Sequence, residues 1–126
     1  MNKKKIYLAI PFSGIEDLSF KVANEVASLL IAKGEYYVFS PISHSYPIWK
    51  TDMAEHSYDV WLNQDEAFVT WADEVWVINI LEHDGLKRIA ESKGVQQEIA
   101  WAVEQNKTTS LVNYDPETQN MTVING

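Results

Sequence analysis

The chain of 126 residues contains no cysteine. This absence excludes a disulfide scaffold, a thiol nucleophile and a metal site built on thiolates. The three histidines, His44, His56 and His83, do not have the close spacing of a metal-binding pattern, so we expect no metal site. The stretch PFSGIED has a single glycine, which does not make a dinucleotide-binding fingerprint.

Positive charge and long hydrophobic runs are also scarce. The net charge is −8, and no cluster of lysine or arginine follows the first five residues, so we expect no nucleic acid polymer as a partner. No apolar run approaches the ~18 residues of a membrane helix, so we expect no membrane partner. The apolar segment after the N-terminal lysines, Ile6 to Ile10, is shorter than the roughly 7–15 residues of a signal peptide core and is better interpreted as a first strand. A cytoplasmic location fits these features.

The hydrophobic pattern predicts alternating strands and helices in a single domain, residues 1–126. The predicted strands are 5–10, 36–40, 73–81, 108–114 and a short 121–124, and the predicted helices are 15–33, 58–71 and 92–106. We expect a long loop over residues 42–57 and a polar loop over residues 82–91 with room for one helical turn. This alternation favours a parallel sheet covered on both faces, with a ligand site beyond the carboxyl ends of its strands.

Two of the predicted helices carry an acid where an apolar side chain is expected. Asp65 lies in the middle of the apolar face of its helix, four residues after Trp61. Glu98 borders an apolar stripe formed by Val95, Ile99, Ala102 and Val103. A carboxylate in such a place costs free energy unless it is hydrogen-bonded or lies at the rim of a cavity. The alternatives are that Asp65 caps a backbone amide and that Glu98 turns out to solvent.

The sequence offers further candidate site residues besides the two acids. Ser92 is a plausible N-cap, and Gly94 lies one turn before Glu98 on the same face, which leaves space for an anion at the helix start with its attached sugar near the carboxylate. Plain helix capping is the alternative. Tyr7, inside the first strand, either packs in the core or hydrogen-bonds Glu98 and orients it. His44, just after the second strand, is a further binding candidate.

Three segments, KIYLAIPFS, NQDEAFVTWADEVWV and ESKGVQQEIAWAVEQNK, resemble in this order the nucleoside 2-deoxyribosyltransferase-like family. That family contains transferases, and hydrolases (glycosidases) that cleave the N-glycosidic bond of nucleoside 5′-monophosphates. The resemblance spans Lys5 to about Tyr114 and is closest to small members of the family. It implies a flavodoxin-like three-layer α/β/α sandwich with a parallel sheet of about five strands, a nucleotide or nucleoside as small-molecule partner, no cofactor and a homo-oligomer.

The resemblance also implies roles for individual residues. Glu98 matches the nucleophilic glutamate, which forms a covalent glycosyl intermediate. Asp65 matches the aspartate that handles the leaving base, and Tyr7 matches the tyrosine that bonds the nucleophile. Ser92, six residues before the glutamate, matches a phosphate-binding serine of the monophosphate hydrolases.

The chain departs from the family in the loop after the first strand. The hydrolases have a small-residue loop containing Gly-Ser there, whereas this chain has Ile10-Pro11-Phe12-Ser13, which leaves Ser13 as the remaining contact. Asn113 is a candidate for a residue that some members supply to a neighbouring subunit's site. Hydrolase and transferase remain open, and a non-catalytic nucleotide-binding protein that keeps the cleft is the alternative.

Overall fold

A computed structural model describes residues 3–51 and 58–125, and in this part of the chain it contains five strands and five helices. The strands are β1 (Lys4–Ala9), β2 (Tyr36–Phe39), β3 (Glu74–Ile80), β4 (Thr108–Asp115) and β5 (Asn120–Asn125). The helices are α1 (Glu16–Ala32), α2 (Pro41–Trp49), α3 (Tyr58–Trp71), α4 (Gly85–Glu91) and α5 (Lys93–Glu104). Within these residues no helix combines the length and the apolar character that crossing a bilayer requires.

The five strands form one sheet in the order β2-β1-β3-β4-β5. The first four strands are parallel, and β5 returns antiparallel along β4. Because β2 lies on one side of β1 and β3 on the other, the strand order reverses between β1 and β3, the place where such sheets bind ligands. The predicted α/β fold is confirmed, with the last strand antiparallel.

The two faces of the sheet bury separate hydrophobic clusters. Alternate residues of a strand point to opposite faces. Ile6 and Leu8 of β1 therefore pack with α1 on one face, while Tyr7 and Ala9 lie on the other face in the cluster that contains buried residues of α3 and α5. The side chain of Tyr7 is thus directed toward the helix that carries Glu98.

The expected loop over residues 42–57 is wrong where it falls within the described residues, because α2 occupies most of it. Ser40 is the N-cap, since its Oγ accepts a hydrogen bond from the amide of Ser43 at 3.1 Å. Pro41 is the first helical residue, a position that needs no amide donor, so it starts the helix instead of ending the preceding strand in a loop. Pro47 lies inside the short helix. Residues 52–57 of the expected loop lie outside the described residues.

The segment expected to hold at most one helical turn contains the seven-residue helix α4. Its first residue, Gly85, is buried against the end of β3. A Cβ atom at this position would lie 1.8 Å from Asn79 Oδ1 and 2.7 Å from the amide nitrogen of Ile80. Glycine is therefore required for α4 to approach the sheet this closely.

Replacing Gly85 with alanine should destabilise the protein by about 1–3 kcal/mol, because the backbone of β3 cannot move away without disrupting the sheet. Gly94→Ala is the matched control, since its Cβ would meet nothing closer than Ser92 Oγ at 4.0 Å. Chemical denaturation of the two variants and the wild type measures the difference. Equal unfolding free energies for the two variants would contradict the steric account.

Candidate active site

A cavity of about 800 Å³ opens beyond the carboxyl ends of β1 and β2. Its walls come from the loop after β1 and from all of the helices except α1. This volume lies within the roughly 300–1,000 Å³ of small-molecule sites. Five residues predicted for the site line it: Ser13, Asp65, Ser92, Gly94 and Glu98.

Glu98 lies on the buried face of α5 and also lines the cavity. It is only 7% exposed, and its buried neighbours on the helix are Val95, Trp101 and Ala102. Val103, which we expected in this stripe, is 65% exposed. The buried face is thus rotated relative to the expected one, and Glu98 lies within it instead of at its border.

Tyr7 supplies a hydrogen bond to Glu98 from beneath the cavity. The fully buried hydroxyl of Tyr7 donates a hydrogen bond to Oε2 of Glu98. The side chain of Tyr7 therefore packs in the core and also contacts a residue of the site. Burial, together with the nearby carboxyls of Glu98 and Asp65, raises the pKa of the Tyr7 hydroxyl well above its usual value of 10. Tyr7 therefore remains a hydrogen-bond donor to Glu98 at any ordinary pH.

Burial also dominates the titration of Glu98. Loss of solvent raises the pKa of its carboxyl from 4.5 to about 8; the Tyr7 hydrogen bond opposes this change and the charge of Asp65 adds to it. A hydrogen bond to the ionised form favours ionisation, whereas a neighbouring negative charge disfavours it. The pKa of Glu98 is therefore close to neutral pH, where the carboxyl can be either protonated or ionised.

Asp65 presents a second acid to the same cavity from α3. Partial burial raises the pKa of its carboxyl from 3.8 to about 6. Among the side chains and amides that the structure describes, none donates a hydrogen bond to this carboxyl. Asp65 therefore does not cap a backbone amide there, and its oxygens remain available to a ligand.

The position of α3 is held by Lys107, which the sequence analysis did not single out. Its ammonium donates to the carbonyls of Val69, Thr70 and Ala72 at 2.7, 2.6 and 2.5 Å. These carbonyls lie at the C-terminal end of α3, where backbone acceptors lack helical partners and a cation is favourable. Lys107 precedes β4, so it ties the helix that carries Asp65 to the sheet.

The start of α5 forms the wall next to Glu98. Ser92 is the N-cap, as predicted, because its Oγ accepts a hydrogen bond from the amide of Val95 at 3.1 Å. The hydroxyl proton of Ser92 remains free to donate into the cavity. Gly94 adds no side chain, so the space one turn before Glu98 is open.

An aromatic wall of the cavity was missed because most of it depends on α2. Tyr46 and Trp49 of this helix line the cavity, together with Phe12 of the loop after β1 and Trp61 of α3. The rings of Phe12 and Tyr46 pack edge to face, with centroids 5.0 Å apart. Aromatic side chains of this kind suit a planar ligand group such as a nucleobase. The only sequence signal for this wall was the density of aromatic residues between positions 46 and 61.

Two cations on the cavity wall, Arg88 and Lys93, were also missed. Arg88 is the only arginine of the chain, which is the signal that could have drawn attention to it. Its Nε donates to the carbonyl of His83 at 3.0 Å, which fixes the side chain where α4 meets the cavity.

Two predicted binding residues are not among those that line the cavity. His44 lies on the exposed side of α2 with its ring near Phe39 and Phe68, at centroid distances of 5.5 and 6.4 Å. Asn113 lies on β4, where its Oδ1 accepts a hydrogen bond from Asn79 Nδ2 at 2.9 Å. The structure of a single chain therefore places neither residue beside Glu98. Among the described residues, no group of three or more histidine, aspartate or glutamate side chains is arranged to hold a metal ion.

The fold of this chain is similar to that of solved 2-deoxyribosyltransferases. A 2-deoxyribosyltransferase from Bacillus psychrosaccharolyticus, described as a biocatalyst for nucleoside synthesis, superimposes with a TM-score of 0.60 at 24% identity, covering 89% of this chain and 72% of that one. A 2-deoxyribosyltransferase from Leishmania mexicana gives a TM-score of 0.57 at 18% identity, covering 89% of this chain and 64% of that one. The chain thus spans somewhat under two thirds of the second enzyme's length.

No curated protein sequence matches significantly. A family profile described as a domain of unknown function, DUF1937, matches residues 4–114, which include β1 to β3, all but the last residue of β4, and every residue of the site described above. The chain therefore belongs to the DUF1937 family and has the fold of the 2-deoxyribosyltransferases.

Proposed function

We propose that this protein cleaves the N-glycosidic bond of a nucleoside or nucleotide, with Glu98 as the nucleophile. The observation that carries the proposal is a buried glutamate that is hydrogen-bonded by Tyr7 and faces the same cavity as a half-buried aspartate. The fold shared with 2-deoxyribosyltransferases supports the same reaction class.

In this mechanism an oxygen of Glu98 attacks the anomeric carbon as the bond from that carbon to the base nitrogen breaks. The electron pair of the broken bond goes to the base, and Asp65 donates a proton to the base as it leaves. The product is a glycosyl ester of Glu98, which water or a second base then resolves. Tyr7 orients the attacking carboxylate and stabilises its charge before the attack.

The two acids share one proton between about pH 6 and pH 8, according to their pKa values. In the free protein this proton lies mainly on Glu98, whereas the reaction requires it on Asp65. The positive charge that develops at the anomeric carbon favours the ionised form of Glu98. The transition state therefore favours the arrangement in which Glu98 is ionised and the proton lies on Asp65.

The experiment that tests this function is incubation with a panel of ribo- and 2′-deoxyribonucleosides and their 5′-monophosphates, with chromatographic detection of free base. Adding a second base to each reaction distinguishes a transferase, which forms a new nucleoside, from a hydrolase, which releases the sugar. Binding of panel members without release of base would support the alternative, a nucleotide-binding protein that keeps the cleft.

The rate of base release should depend on pH as a bell, with limbs near pH 6 and pH 8, because only the singly protonated pair is productive. Tyr7→Phe removes a hydrogen bond to the ionised Glu98 and thus raises the pKa of Glu98 further. We expect the upper limb to move up by about one pH unit and kcat/KM at the optimum to fall about tenfold.

Tyr114→Phe is the control for this variant, because Tyr114 is also a buried tyrosine but donates to Glu25 at 2.6 Å in the cluster on the other face of the sheet. It should leave both limbs in place. If Tyr7→Phe leaves the upper limb unchanged while the fold is intact, the proposed coupling of Tyr7 to the nucleophile is wrong.

A homo-oligomer, which the resemblance implies, remains a prediction. Among the described residues of α3 and α5, the large hydrophobic side chains of Val60, Trp71 and Val103 are exposed in the single chain.

A further inference from the structure

Arg88 has no carboxylate partner among the residues that the structure describes, in a chain of net charge −8. No acid of the described residues lies within ion-pair distance of its guanidinium, although its neighbour Lys87 reaches Glu91 at 4.0 Å. The bond from Nε to the carbonyl of His83 holds the side chain and leaves both terminal nitrogens free. An arginine that is fixed in place, unpaired and on a cavity wall is suited to bind an anionic ligand.

The loop after β1 brings a second wall close to this guanidinium. One of the terminal nitrogens of Arg88 lies 3.7 Å from the position that a Cβ atom on Gly14 would take. Gly14 follows Ser13, which lines the cavity and is exposed. Arg88 therefore supplies positive charge beside a loop that has no basic residue of its own.

Lys93 brings a second ammonium to the same cavity, and no acid of the described residues forms an ion pair with it. Lys93 and Glu98 are five residues apart on α5, which corresponds to about 7.5 Å along the helix axis at ~1.5 Å per residue. This separation is comparable with the distance between the anomeric carbon and the phosphorus of a nucleoside 5′-monophosphate. Lys93 thus lies about the length of a sugar phosphate from Glu98 along the helix axis, and Arg88 lines the same cavity.

We propose that Arg88, assisted by Lys93, binds the phosphate of a nucleoside 5′-monophosphate and makes the protein select nucleotides over nucleosides. The inference rests on the proposed function for the placement of the sugar. It adds side chains that the resemblance does not supply. The planar guanidinium can donate two parallel hydrogen bonds to phosphate oxygens, with Lys93 as a point charge.

Calorimetric titration of the Glu98→Gln protein, which should not consume substrate, with the common nucleoside 5′-monophosphates and the matching nucleosides tests the proposal. Adding Arg88→Met should weaken binding of the best monophosphate roughly tenfold to a hundredfold and leave the nucleosides unaffected. Arg88→Lys should retain part of the affinity. Lys87→Met, one residue away on α4 and outside the cavity, is the charge-matched control and should change neither. Thermal melting checks that each variant is folded.

The outcomes separate this proposal from the proposed function. Monophosphate binding that depends on Arg88, without release of base by the wild type, would keep the phosphate site and refute the glycosidase. Base release that is equally fast from nucleosides and monophosphates, and unaffected by Arg88→Met, would keep the enzyme and overturn the phosphate site. Equal weakening by Arg88→Met and Lys87→Met, or no binding of any monophosphate, would also overturn it.

Discussion

Glu98→Gln should reduce the rate of base release by several powers of ten, on the order of 10⁴ or more, while leaving substrate binding largely intact. Glutamine keeps the shape of the side chain and can still accept the hydrogen bond from Tyr7. It cannot attack the anomeric carbon, because a neutral amide is a poor nucleophile. The measurement is single-turnover base release with the best substrate of the panel. Near-equal rates for wild type and variant would show that Glu98 is not the nucleophile.

Although Glu98→Gln should abolish activity, we expect it to stabilise the protein at high pH. The pKa of Glu98 is about 8 in the folded protein and near 4.5 when the side chain is exposed to water, so the folded state binds this proton more tightly. The stability that this group contributes is complete below about pH 4.5 and is lost as pH rises through about 8. Glutamine has no such proton to lose. The free energy of unfolding of the variant should therefore rise relative to that of the wild type over this pH interval, by up to a few kcal/mol.

Denaturant unfolding at pH 5 and pH 9 measures this difference, and Glu104→Gln is the matched control. Glu104 lies on the same helix but is exposed. Its substitution should give the same relative stability at both pH values. If Glu98→Gln behaves like Glu104→Gln, then burial does not perturb the titration of Glu98. The two readouts for Glu98→Gln are independent, because stability is measured without substrate.

Asp65→Asn should reduce kcat by about 10²–10⁴, the usual range for loss of a general acid. The effect should nearly vanish with a glycoside whose leaving group departs without a proton, such as a 4-nitrophenyl riboside, because the acid has no role there. Asp59→Asn is the control, since Asp59 is an exposed acid on the same helix. An equal loss with both kinds of leaving group would assign Asp65 to binding or to structure and remove it from proton transfer.

The pH profile gives a second test of Asp65. Without this acid, the only ionisation that matters is that of Glu98, so the bell should become a single limb that rises with pH to a plateau. The midpoint of this limb should lie below pH 8, because the charge of Asp65 contributes to the raised pKa of Glu98. A profile that keeps its descending limb at high pH would show that another group supplies the proton.

Most strands and helices of this protein follow from local patterns in its sequence. The alternation of buried strands and amphipathic helices predicted the α/β fold, and the acids at positions 65 and 98 stood out because each interrupts an apolar helical pattern. The N-cap role of Ser92 was likewise predictable, because capping involves an amide only three residues away. Each of these features depends on interactions within about one helical turn or one strand.

Where local signals conflict, the sequence misled. Pro47 and the lack of a clear period over residues 42–57 suggested a loop. The helix α2 forms nevertheless, because Ser40 caps it and because Tyr46 packs against Phe12 and Phe20, far away in the sequence. The exposure of Val103 was also unpredictable, because it depends on how α5 is rotated against the sheet. That rotation follows from packing that the helical period alone does not specify.

The sequence by itself thus determined the fold class, the order of most elements and the identity of the two acids. Only the tertiary structure decided that the hydroxyl of Tyr7 meets Glu98, 91 residues away, that Asp65 faces the same cavity, and that Arg88 reaches its wall while His44 and Asn113 do not. The physical reason is that a local pattern records only which side of a helix or strand is apolar. The distance between two side chains on different elements depends on the strand order and on how each helix packs on the sheet, both of which are set by long-range contacts.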